Sequence, residues 1–293
     1  MAPAACYIGT SGWSYPKGEG TWQGFFYPPG TKDELAWYSR FFDTVEVNSS
    51  FYRPPSPKTA QSWDERTPVD FKFSIKLWQK FTHPAMYEAA TGETAAVSQG
   101  DVDVFRAAIE PLARRGKLGA LLAQFPPSFK NAERGRSVIR GLANAFAEYP
   151  VAVELRHRSW SDDTTTAGFL REHKLAWVNI DEPKFASSIA TEVPVTADLA
   201  YFRFHGRNAE DWWSGDNETR YRYLYLEEQV RQLADRMRAC MKETRLMFAF
   251  FNNHWQAYAP RNATELKREL GLPDRDLQMR LDLPGAAGGT RAG

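Results

Sequence analysis

Short apolar runs alternate with segments of helical periodicity along the chain, and this order constrains the fold more than any other feature. The apolar runs predict strands at 6–10, 44–48, 71–77, 118–124, 151–156, 176–181, 200–205 and 246–251. The segments between and after them predict helices at 32–42, 57–66, 102–115, 132–148, 165–173, 221–242 and 263–270. Strands that alternate with helices form a parallel sheet, and eight of them favour closure into an α/β (β/α)8 TIM barrel. An open doubly wound sheet is the alternative, but no glycine-rich phosphate fingerprint follows the first strand.

Three connections that follow strands lack a clear helical pattern. Residues 182–198 contain two prolines and little periodicity, so we expect a loop in place of the helix after strand six. Residues 14–30 are rich in aromatic residues, Gly and Pro, and residues 83–100 are rich in Ala, Thr and Gly. Long structureless loops in compact domains are commonly lids or binding loops. The sequence therefore predicts that all three crowd the C-terminal mouth of the barrel.

Length and composition favour one large domain. The chain has 293 residues, 43% of them hydrophobic, which suits a single barrel over 1–282. Residues 283–293 are rich in Gly and Ala without apolar periodicity, and we predict a disordered tail. Lys plus Arg number 37 and Asp plus Glu 36, so the net charge is +1 and any attraction for phosphate must be local.

The N-terminus and the cysteines indicate the cellular setting. The first residues lack the basic start and long apolar run of a signal peptide, and no stretch approaches the roughly 18 apolar residues of a transmembrane helix. Cys6 and Cys240 are far apart and match no metal or redox spacing. We therefore predict a cytoplasmic protein without a membrane partner, and the sequence indicates no protein partner.

Alternation along the strands predicts which side chains point into the barrel. In the run VEVN, Val45 and Val47 face the helices, which directs Glu46 and Asn48 inward. The same rule directs inward Lys72, Ser74, Lys76, Gln124, Glu154, Arg156, Asn179, Asp181, Tyr201, Arg203 and His205, with Asn252 and Asn253 closing the last strand. Four inward Lys and Arg side chains then face three inward Glu and Asp side chains, an excess of one positive charge that suits an anionic ligand. A network of ion pairs that serves packing alone is the structural alternative.

Glu46, Glu154 and His205 are the candidate catalytic residues. A carboxylate pair such as Glu46 and Glu154 serves glycoside hydrolysis as acid and base or as acid and nucleophile. The alternative is that each glutamate forms a fixed salt link, for example Glu154 with Arg156. His205 ends its strand beside Arg203, where it either carries protons or only hydrogen-bonds a ligand.

The candidate substrate-binding residues are cations, amides and aromatic residues at strand ends and in the loops that follow. Lys76 has two open roles, binding a phosphate or carboxylate or, if desolvated among cations, forming a Schiff base. Aromatic side chains near arginine stack bases or sugar rings, although most loop aromatics only seal a barrel. The full set is Trp13, Tyr15, Asn48, Tyr52, Lys76, Arg156, Trp160, Asp181, Arg203, Asn252 and Asn253.

No metal site is predicted. The five histidines show neither HxH nor HExxH spacing, and only His205 lies clearly at a strand end. A single Mg²⁺ on Glu46, Glu154 and Asp181 is the alternative, but the adjacent Arg and Lys side chains compete for the same oxygens. We therefore predict neither a metal nor a cofactor.

Seven runs resemble, in order, the motifs of the domain of unknown function 72 family, also called YecE-like. They cover roughly residues 7–270 and are IGTSGWSY, FFYPPG, YSRFFDTVEVNSSFYRPP, FKFSIKLWQKFTH, VELRHRSW, YFRFHGRN and FFNNHWQAYAPRNATEL. The resemblance implies a TIM barrel and assigns no reaction. The motif positions correspond here to Gly9, Trp13, Tyr15, Glu46, Asn48, Phe51, Tyr52, Lys76, His83, Glu154, Arg156, Trp160, Arg203, His205, Gly206, Asn252, Asn253 and Ala263. The stretch 14–24 is longer and richer in glycine than the family's usual link, so the lid geometry does not transfer.

These features favour an enzyme over a simple binding protein, because phosphate binding alone gains nothing from inward carboxylates. We predict a metal-independent hydrolase or lyase that acts at the mouth on an anionic, ring-bearing substrate. The partner is a small anionic molecule or nucleic-acid fragment, such as a nucleotide, a nucleic-acid end or a sugar phosphate. One alternative is a non-catalytic nucleic-acid-binding protein, which would favour a more basic surface. The other is a neutral-carbohydrate glycosidase that uses Glu46 and Glu154.

Overall fold

The computed structural model describes residues 4–212 and 219–273, which form a closed barrel of parallel strands in the order β1 to β8. The strands are β1 (Ala5–Ser11), β2 (Thr44–Val47), β3 (Lys72–Lys76), β4 (Leu118–Gln124), β5 (Val151–Glu154), β6 (Leu175–Asp181), β7 (Leu199–Phe204) and β8 (Leu246–Phe251). Strand β8 pairs with β1 from Ala5 and Leu246 to Thr10 and Phe251, which closes the barrel. The predicted (β/α)8 fold is confirmed.

Helices connect the strands and pack around them. They are α1 (Glu34–Tyr38), α2 (Pro57–Glu65), α3 (Gln79–Thr82), α4 (Pro84–Thr91), α5 (Gln99–Arg114), α6 (Glu133–Ala145), α7 (Thr166–Glu172), α8 (Glu227–Met241) and α9 (Tyr258–Glu269). Residues 182–198 are all described and contain no helix between β6 and β7, as predicted. Helix α8 begins at Glu227, later than the predicted 221, and the described residues 205–212 and 219–226 before it contain no helix or strand.

The prediction of an irregular segment at 83–100 is wrong for about half of its length. Helix α4 has Pro84 in its first turn and ends at Gly92, whose left-handed backbone (φ 73°) caps the helix. Helix α5 begins before the predicted residue 102, because Ser98 and Asp101 form a capping box. These capping signals stabilise helices in a segment whose apolar residues show little periodicity.

Aromatic side chains fill the lower interior of the barrel. Tyr7 stacks on Phe248 with ring centres 5.2 Å apart, and Phe248 lies nearly parallel to Phe250 at 5.9 Å. Gly119 gives Phe248 its space, because a Cβ atom at that position would lie 2.4 Å from the ring. The lower barrel is therefore a solid core on which the polar mouth is built.

The side chains of β6 face opposite to the prediction. The Asn179 amide donates to the carbonyl oxygen of Val193 at 3.4 Å, on the outer side of the barrel near α8. Asp181 accepts hydrogen bonds from Arg207 and from the hydroxyl of Tyr225, each at 2.8 Å. All seven residues of β6 are buried. Since both faces of this strand are covered, polarity alternation did not distinguish inside from outside.

The two lysines of β3 lie at opposite ends of the barrel. Lys72 is the first residue of the strand, and its Nζ donates to the carbonyl oxygen of Gly116 at 2.5 Å. Lys76 is the last residue of the strand and lines the mouth. Lys72 is therefore not part of the polar ring, and the pair offers a matched comparison between the two ends.

Candidate functional site

A cavity of about 620 Å³ opens at the C-terminal ends of the strands. Eight predicted site residues line it, namely Tyr15, Asn48, Tyr52, Lys76, Arg156, Arg203, His205 and Asn252. The other lining residues are Phe51, His83, Met86, Gln124, Pro126, Pro127, Trp212, Arg220, Tyr221 and His254. Within the described part of the chain, the lining contains no Asp or Glu. A cavity of this volume accommodates a small molecule.

Arg203 of β7 holds two glutamates beneath the cavity. Its Nη2 and Nε donate to Oε1 and Oε2 of Glu46 at 2.7 and 3.0 Å. Its Nη1 donates to Oε2 of Glu154 at 2.6 Å. All three side chains are at most 2% exposed. The guanidinium therefore fixes both predicted catalytic carboxylates and keeps them out of the cavity lining.

Two hydroxyl groups complete the surroundings of Glu46. Ser11 donates to Oε1 at 2.8 Å, and Tyr201 donates to Oε2 at 2.7 Å. The Tyr201 hydroxyl also lies 2.6 Å from Oγ of Ser74. Together with Arg203, these groups supply four hydrogen bonds to one carboxylate, which has about four acceptor sites. Glu46 is thus saturated by the protein.

Arg156, which follows β5, contacts the carboxylates of Glu154 and Glu182. Its Nε donates to Oε1 of Glu154 at 2.7 Å, and its Nη1 lies 3.3 Å from Oε2 of Glu182. Burial raises the pKa of Glu154, but Arg203 and Arg156 outweigh it and the net effect is a lowered pKa. Burial also raises the pKa of Glu182, and there the rise prevails. Of these two carboxyl groups, only Glu182 has the raised pKa that suits a general acid.

His205, directly after β7, is held as a neutral imidazole. Burial, followed by the charges of Arg203 and Arg156, keeps the pKa of His205 well below its usual range. Its Nε2 lies 3.2 Å from Nη2 of Arg156, and a guanidinium only donates, so Nε2 is the accepting nitrogen. The other ring nitrogen, Nδ1, lies 3.0 Å from the side-chain amide nitrogen of Asn252.

Lys76 differs from Arg156 and Arg203 because no carboxylate of the described residues pairs with it. Its Nζ lies 4.1 Å from the centre of the Phe51 ring, and within the described chain no ion pair or hydrogen bond of this group is found. Burial, followed by the charge of Arg203, lowers the pKa of Lys76 to about 7. At neutral pH the side chain is therefore divided between an ammonium that attracts anions and a nucleophilic amine.

His83 lies on the same side of the cavity as Lys76. Its Nδ1 is 2.9 Å from Oγ1 of Thr82, and its ring meets Phe51 edge to face at 4.9 Å. Burial, followed by the charge of Lys76, lowers the pKa of His83 to about 4. This imidazole is therefore neutral at physiological pH, with Nε2 left to act on a ligand.

Flat rings form two walls of the cavity. Tyr15 stacks on His254 with ring centres 4.6 Å apart and 7° between the planes, and Tyr221 lies 5.4 Å from His254. Phe51 and Tyr52 line the cavity after β2, where Tyr52 is 67% exposed. Such surfaces bind the faces of planar ligands.

Four predicted binding residues lie outside the cavity lining. Trp160 is fully buried, and its indole nitrogen donates to a backbone carbonyl after β4 at 2.8 Å. Trp13 packs edge-on against a tryptophan of α2 at 5.8 Å. Asn253 is buried, and its amide donates to a backbone carbonyl after β7 at 2.8 Å. Asp181 is turned toward the outer layer, so all four make structural contacts.

Other lining residues were not among the predicted site residues. Arg220 lies in the irregular segment before α8, and its Nε is buried without a hydrogen-bond partner in the described chain. Its segment was predicted to adjoin a helix, so its place at the mouth had no sequence signal. His83 and His254 closely follow β3 and β8, which is the same signal that identified His205.

Two further features concern only residues 4–212 and 219–273. No group of three or more His, Cys, Asp and Glu side chains there is arranged to hold a metal ion. The helices in these ranges include none long and apolar enough to cross a membrane. The predicted tail at 283–293 lies outside the described residues.

Comparison with known proteins finds relatives along the whole barrel. A family model described as a protein of unknown function, DUF72, matches residues 7–286. UPF0759 protein YunF of Bacillus subtilis (strain 168) is 28% identical over 293 residues, which cover 93% of this chain and 99% of that protein. UPF0759 protein YecE of Escherichia coli (strain K12) is 30% identical over 153 residues, 52% of this chain and 48% of that protein.

Two crystal structures of similar chains have the same fold. A DUF72 family protein from Thermotoga maritima MSB8 superimposes with a TM-score of 0.79 at 36% identity, covering 91% of this chain and 99% of that one. A DUF72 family protein from Enterococcus faecalis V583 superimposes with a TM-score of 0.81 at 24% identity, covering 94% and 99%. With a family model that spans nearly the whole barrel, the chain belongs to the DUF72 family, as its motifs implied.

Proposed function

We propose that the mouth of the barrel binds a small anionic, ring-bearing molecule and that the protein acts on it as a hydrolase or lyase. Nucleotides, nucleic-acid ends and sugar phosphates are the substrates of this chemistry. The observation that carries the proposal is the cavity lining, which holds Lys76, Arg156, Arg203 and Arg220 and, in the described chain, no carboxylate. Converging ammonium and guanidinium donors suit phosphate and carboxylate groups.

The charge balance at the mouth supports an anionic ligand. Arg156 and Arg203 are matched by the glutamates beneath them. Lys76 and Arg220 have no carboxylate partner among the described residues, although both border the cavity. Desolvating an unpaired cation costs free energy, and a bound anion offsets that cost. The ligand would therefore supply the missing negative charge.

The aromatic walls of the cavity favour a ligand that carries a ring. Tyr15 and Tyr221 lie on one side and Phe51 and Tyr52 follow β2. Stacking on an aromatic side chain stabilises a bound base by about 1–3 kcal/mol, and it tolerates many rings because each has a π face. Phosphate recognition and ring stacking together account for both kinds of lining residue.

Neutral histidines next to these cations support chemistry beyond binding. His83 and His205 have lowered pKa values and are neutral at pH 7, and Nε2 of His83 is left to accept a proton. Lys76 changes its charge near neutral pH and can donate or accept one. A site that only held an anion would be served better by permanently charged groups.

The two alternative functions fit the geometry less well. A glycosidase needs one carboxyl group with a raised pKa beside the sugar, whereas Glu46 is saturated and the pKa of Glu154 is lowered. A nucleic-acid-binding surface is usually strongly basic, whereas the net charge here is +1 and the mouth cations lie in a concave cavity. Such a cavity fits a nucleotide or a strand end better than a duplex.

The test compares phosphorylated ligands with their neutral counterparts. Thermal shift and calorimetric titration would use nucleoside monophosphates, sugar phosphates and short oligonucleotides beside nucleosides and neutral oligosaccharides. We expect a phosphorylated ligand to raise the Tm where its neutral counterpart does not. Lys76→Gln and Arg220→Gln should each weaken binding about tenfold, or about 1.4 kcal/mol, through the loss of one charged donor.

Lys72→Gln is the matched control, because Lys72 is on the same strand as Lys76 at the far end of the barrel. It should bind the phosphorylated ligand like wild type. Equal binding of phosphorylated and neutral ligands, or mouth variants that bind as tightly as wild type, would overturn the proposal.

A further inference from the structure

Two lysines of the described chain, Lys117 and Lys267, are buried, and Lys76 is half-buried at the mouth. Lys117, just before β4, lies 2.7 Å from Oδ1 of Asp64, and Lys267 of α9 lies 3.8 Å from Oδ2 of Asp43. Both side chains are at most 3% exposed and are paired with a carboxylate. Lys76 instead presents its Nζ to the cavity without a carboxylate partner in the described chain. An amine desolvated beside other cations is the arrangement that activates lysine as a nucleophile.

We infer that Lys76 forms an imine with a carbonyl carbon of the bound substrate. The inference rests on the proposed anion site and narrows its substrates to aldehydes, ketones and 2-oxo acids that also carry a phosphate or carboxylate group. It also narrows the reaction from hydrolase or lyase to lyase, because an imine draws electrons from an adjacent carbon–carbon bond.

The ion pairs below the cavity explain why Lys76 has no carboxylate partner among residues 4–212 and 219–273. Glu46 receives both Arg203 and two hydroxyl groups, and Glu154 receives Arg203 and Arg156. The nearby carboxylates are therefore already occupied by guanidinium groups, which remain charged at all physiological pH values. The same arginines border the cavity and would hold the anionic group of the substrate beside the amine.

The covalent step balances without an oxidant or a metal. The lone pair of neutral Lys76 Nζ forms a bond to the carbonyl carbon, and the π pair of the C=O bond moves to oxygen. One nitrogen proton transfers to that oxygen and gives a carbinolamine. The nitrogen lone pair then forms the C=N bond as the hydroxyl leaves with the second nitrogen proton as water. An amine and a carbonyl thus become a neutral imine and one water molecule.

His83 is the group best placed to carry these protons. Its ring contacts the same Phe51 side chain as Lys76, at 4.9 Å and 4.1 Å from the ring centre. Its Nδ1 is engaged by Thr82, so Nε2 is the nitrogen that is left to exchange protons with the carbinolamine. Because His83 is neutral, it accepts a proton before it returns one to the leaving hydroxyl.

The test uses pyridoxal 5′-phosphate as the probe, since it combines an aldehyde, a planar ring and a phosphate. Wild type would be incubated with an equimolar amount near neutral pH and reduced with borohydride, and the modified lysine would be located by peptide mass spectrometry. An ordinary lysine is almost fully protonated at this pH. We therefore expect labelling of Lys76 to exceed labelling of Lys72 by at least about tenfold.

Two variants and one competitor make the result specific. Lys76→Arg keeps the charge but cannot form an imine, so it should lose the adduct and keep a Tm shift with the probe. Lys72→Arg should label like wild type, and inorganic phosphate should slow the labelling of Lys76. Pyridoxal without phosphate should label it more slowly.

The outcomes separate the two proposals. A Tm shift in wild type and Lys76→Arg, with Lys76 labelled no faster than Lys72, would overturn the imine and leave the anion site standing. No Tm shift together with no preference for Lys76 would overturn both. Labelling of Lys76 that neither phosphate nor removal of the probe's phosphate affects would support the amine and contradict the anion site.

Discussion

The two ends of the barrel treat buried cations in opposite ways. At the N-terminal end, Lys117 is paired with Asp64, and Lys267 lies beside Asp43. At the C-terminal end, Arg203 is shared by two glutamates, yet Lys76 borders the cavity without a carboxylate in the described chain. The buried lysines of the first end lie beside carboxylates of the protein, whereas the second end leaves positive charge facing a cavity. In TIM barrels the first arrangement is typical of stability and the second of a functional site.

The difference also indicates at which end of the barrel a substitution could raise stability without changing the fold. At the N-terminal end, the ammonium groups of Lys117 and Lys267 lie beside the carboxylates of Asp64 and Asp43. At the mouth, Lys76 lies near two arginines, so we expect its ammonium form to destabilise the folded state when no anion is bound. The following changes test this contrast.

The largest effect should come from the central guanidinium of the mouth. Arg203→Met leaves both Glu46 and Glu154 buried with fewer partners, so we expect the free energy of unfolding to fall by about 3–5 kcal/mol. Lys117→Met at the other end should cost less, about 1–3 kcal/mol, because Arg115 remains 3.3 Å from Asp64. Urea unfolding of both variants measures the difference. A smaller loss for Arg203→Met than for Lys117→Met would contradict the central role of Arg203.

A second test uses the pH dependence of stability. Lys76 has a pKa of about 7 in the folded protein and about 10.4 when unfolded, so between these values the unfolded state binds more protons. Stability of wild type relative to Lys76→Met should therefore rise as pH increases from about 7 to about 10. Near pH 6, Lys76→Met should be more stable than wild type by more than about 1 kcal/mol.

Urea unfolding across this pH range measures the effect, with Lys72→Met as the control. The groups that face Lys76, namely Arg203, Glu154, Glu46 and Arg156, are the same in both variants. Lys72→Met should follow the wild-type pH profile. Parallel profiles for wild type and Lys76→Met would show that Lys76 titrates like an ordinary lysine and would contradict its lowered pKa.

The smallest effect should come from single hydroxyl groups at each end. Ser11→Ala removes one hydrogen bond to Glu46, and Thr67→Val removes one to Lys117, so each should lower stability by about 1 kcal/mol. Only Ser11→Ala should also weaken binding of the phosphorylated ligand, by a few-fold, because Glu46 positions Arg203. Titration of both variants with the same ligand checks this difference, and an equal loss of affinity in the two would contradict it.

Most of the barrel was predictable because its strands differ in polarity between their two faces. On β2, β3, β5 and β7, large apolar residues face the helices, so Glu46, Lys76, Glu154 and Arg203 had to point inward. On β6 both faces are buried, and the alternation of Asn179 and Asp181 pointed the wrong way. The opposite orientation of β6 would have predicted an inward side chain for Glu182, the residue that follows the strand. Glu182 contacts Arg156.

Less of the site was predictable, because its composition depends on distances across the barrel. The sequence indicated a polar ring but did not show that Arg203 binds both Glu46 and Glu154, or that Lys76 has no carboxylate partner in the part of the chain that the structure describes. Loop residues gave weaker signals still, since Trp160 in the core and Tyr15 in the wall both follow strand ends. Arg220 reaches the mouth from a segment with no regular structure, where spacing along the chain carries little information.

The most direct test of the contrast between the two ends is a crystal structure with tungstate, a phosphate analogue that scatters anomalously. We expect an anomalous peak in the mouth cavity within hydrogen-bonding distance of Lys76 or Arg156, and its loss in Lys76→Met crystals. A mouth without a peak at a concentration that labels other sites, or a peak only at the N-terminal end beside Lys117 or Lys267, would contradict the account.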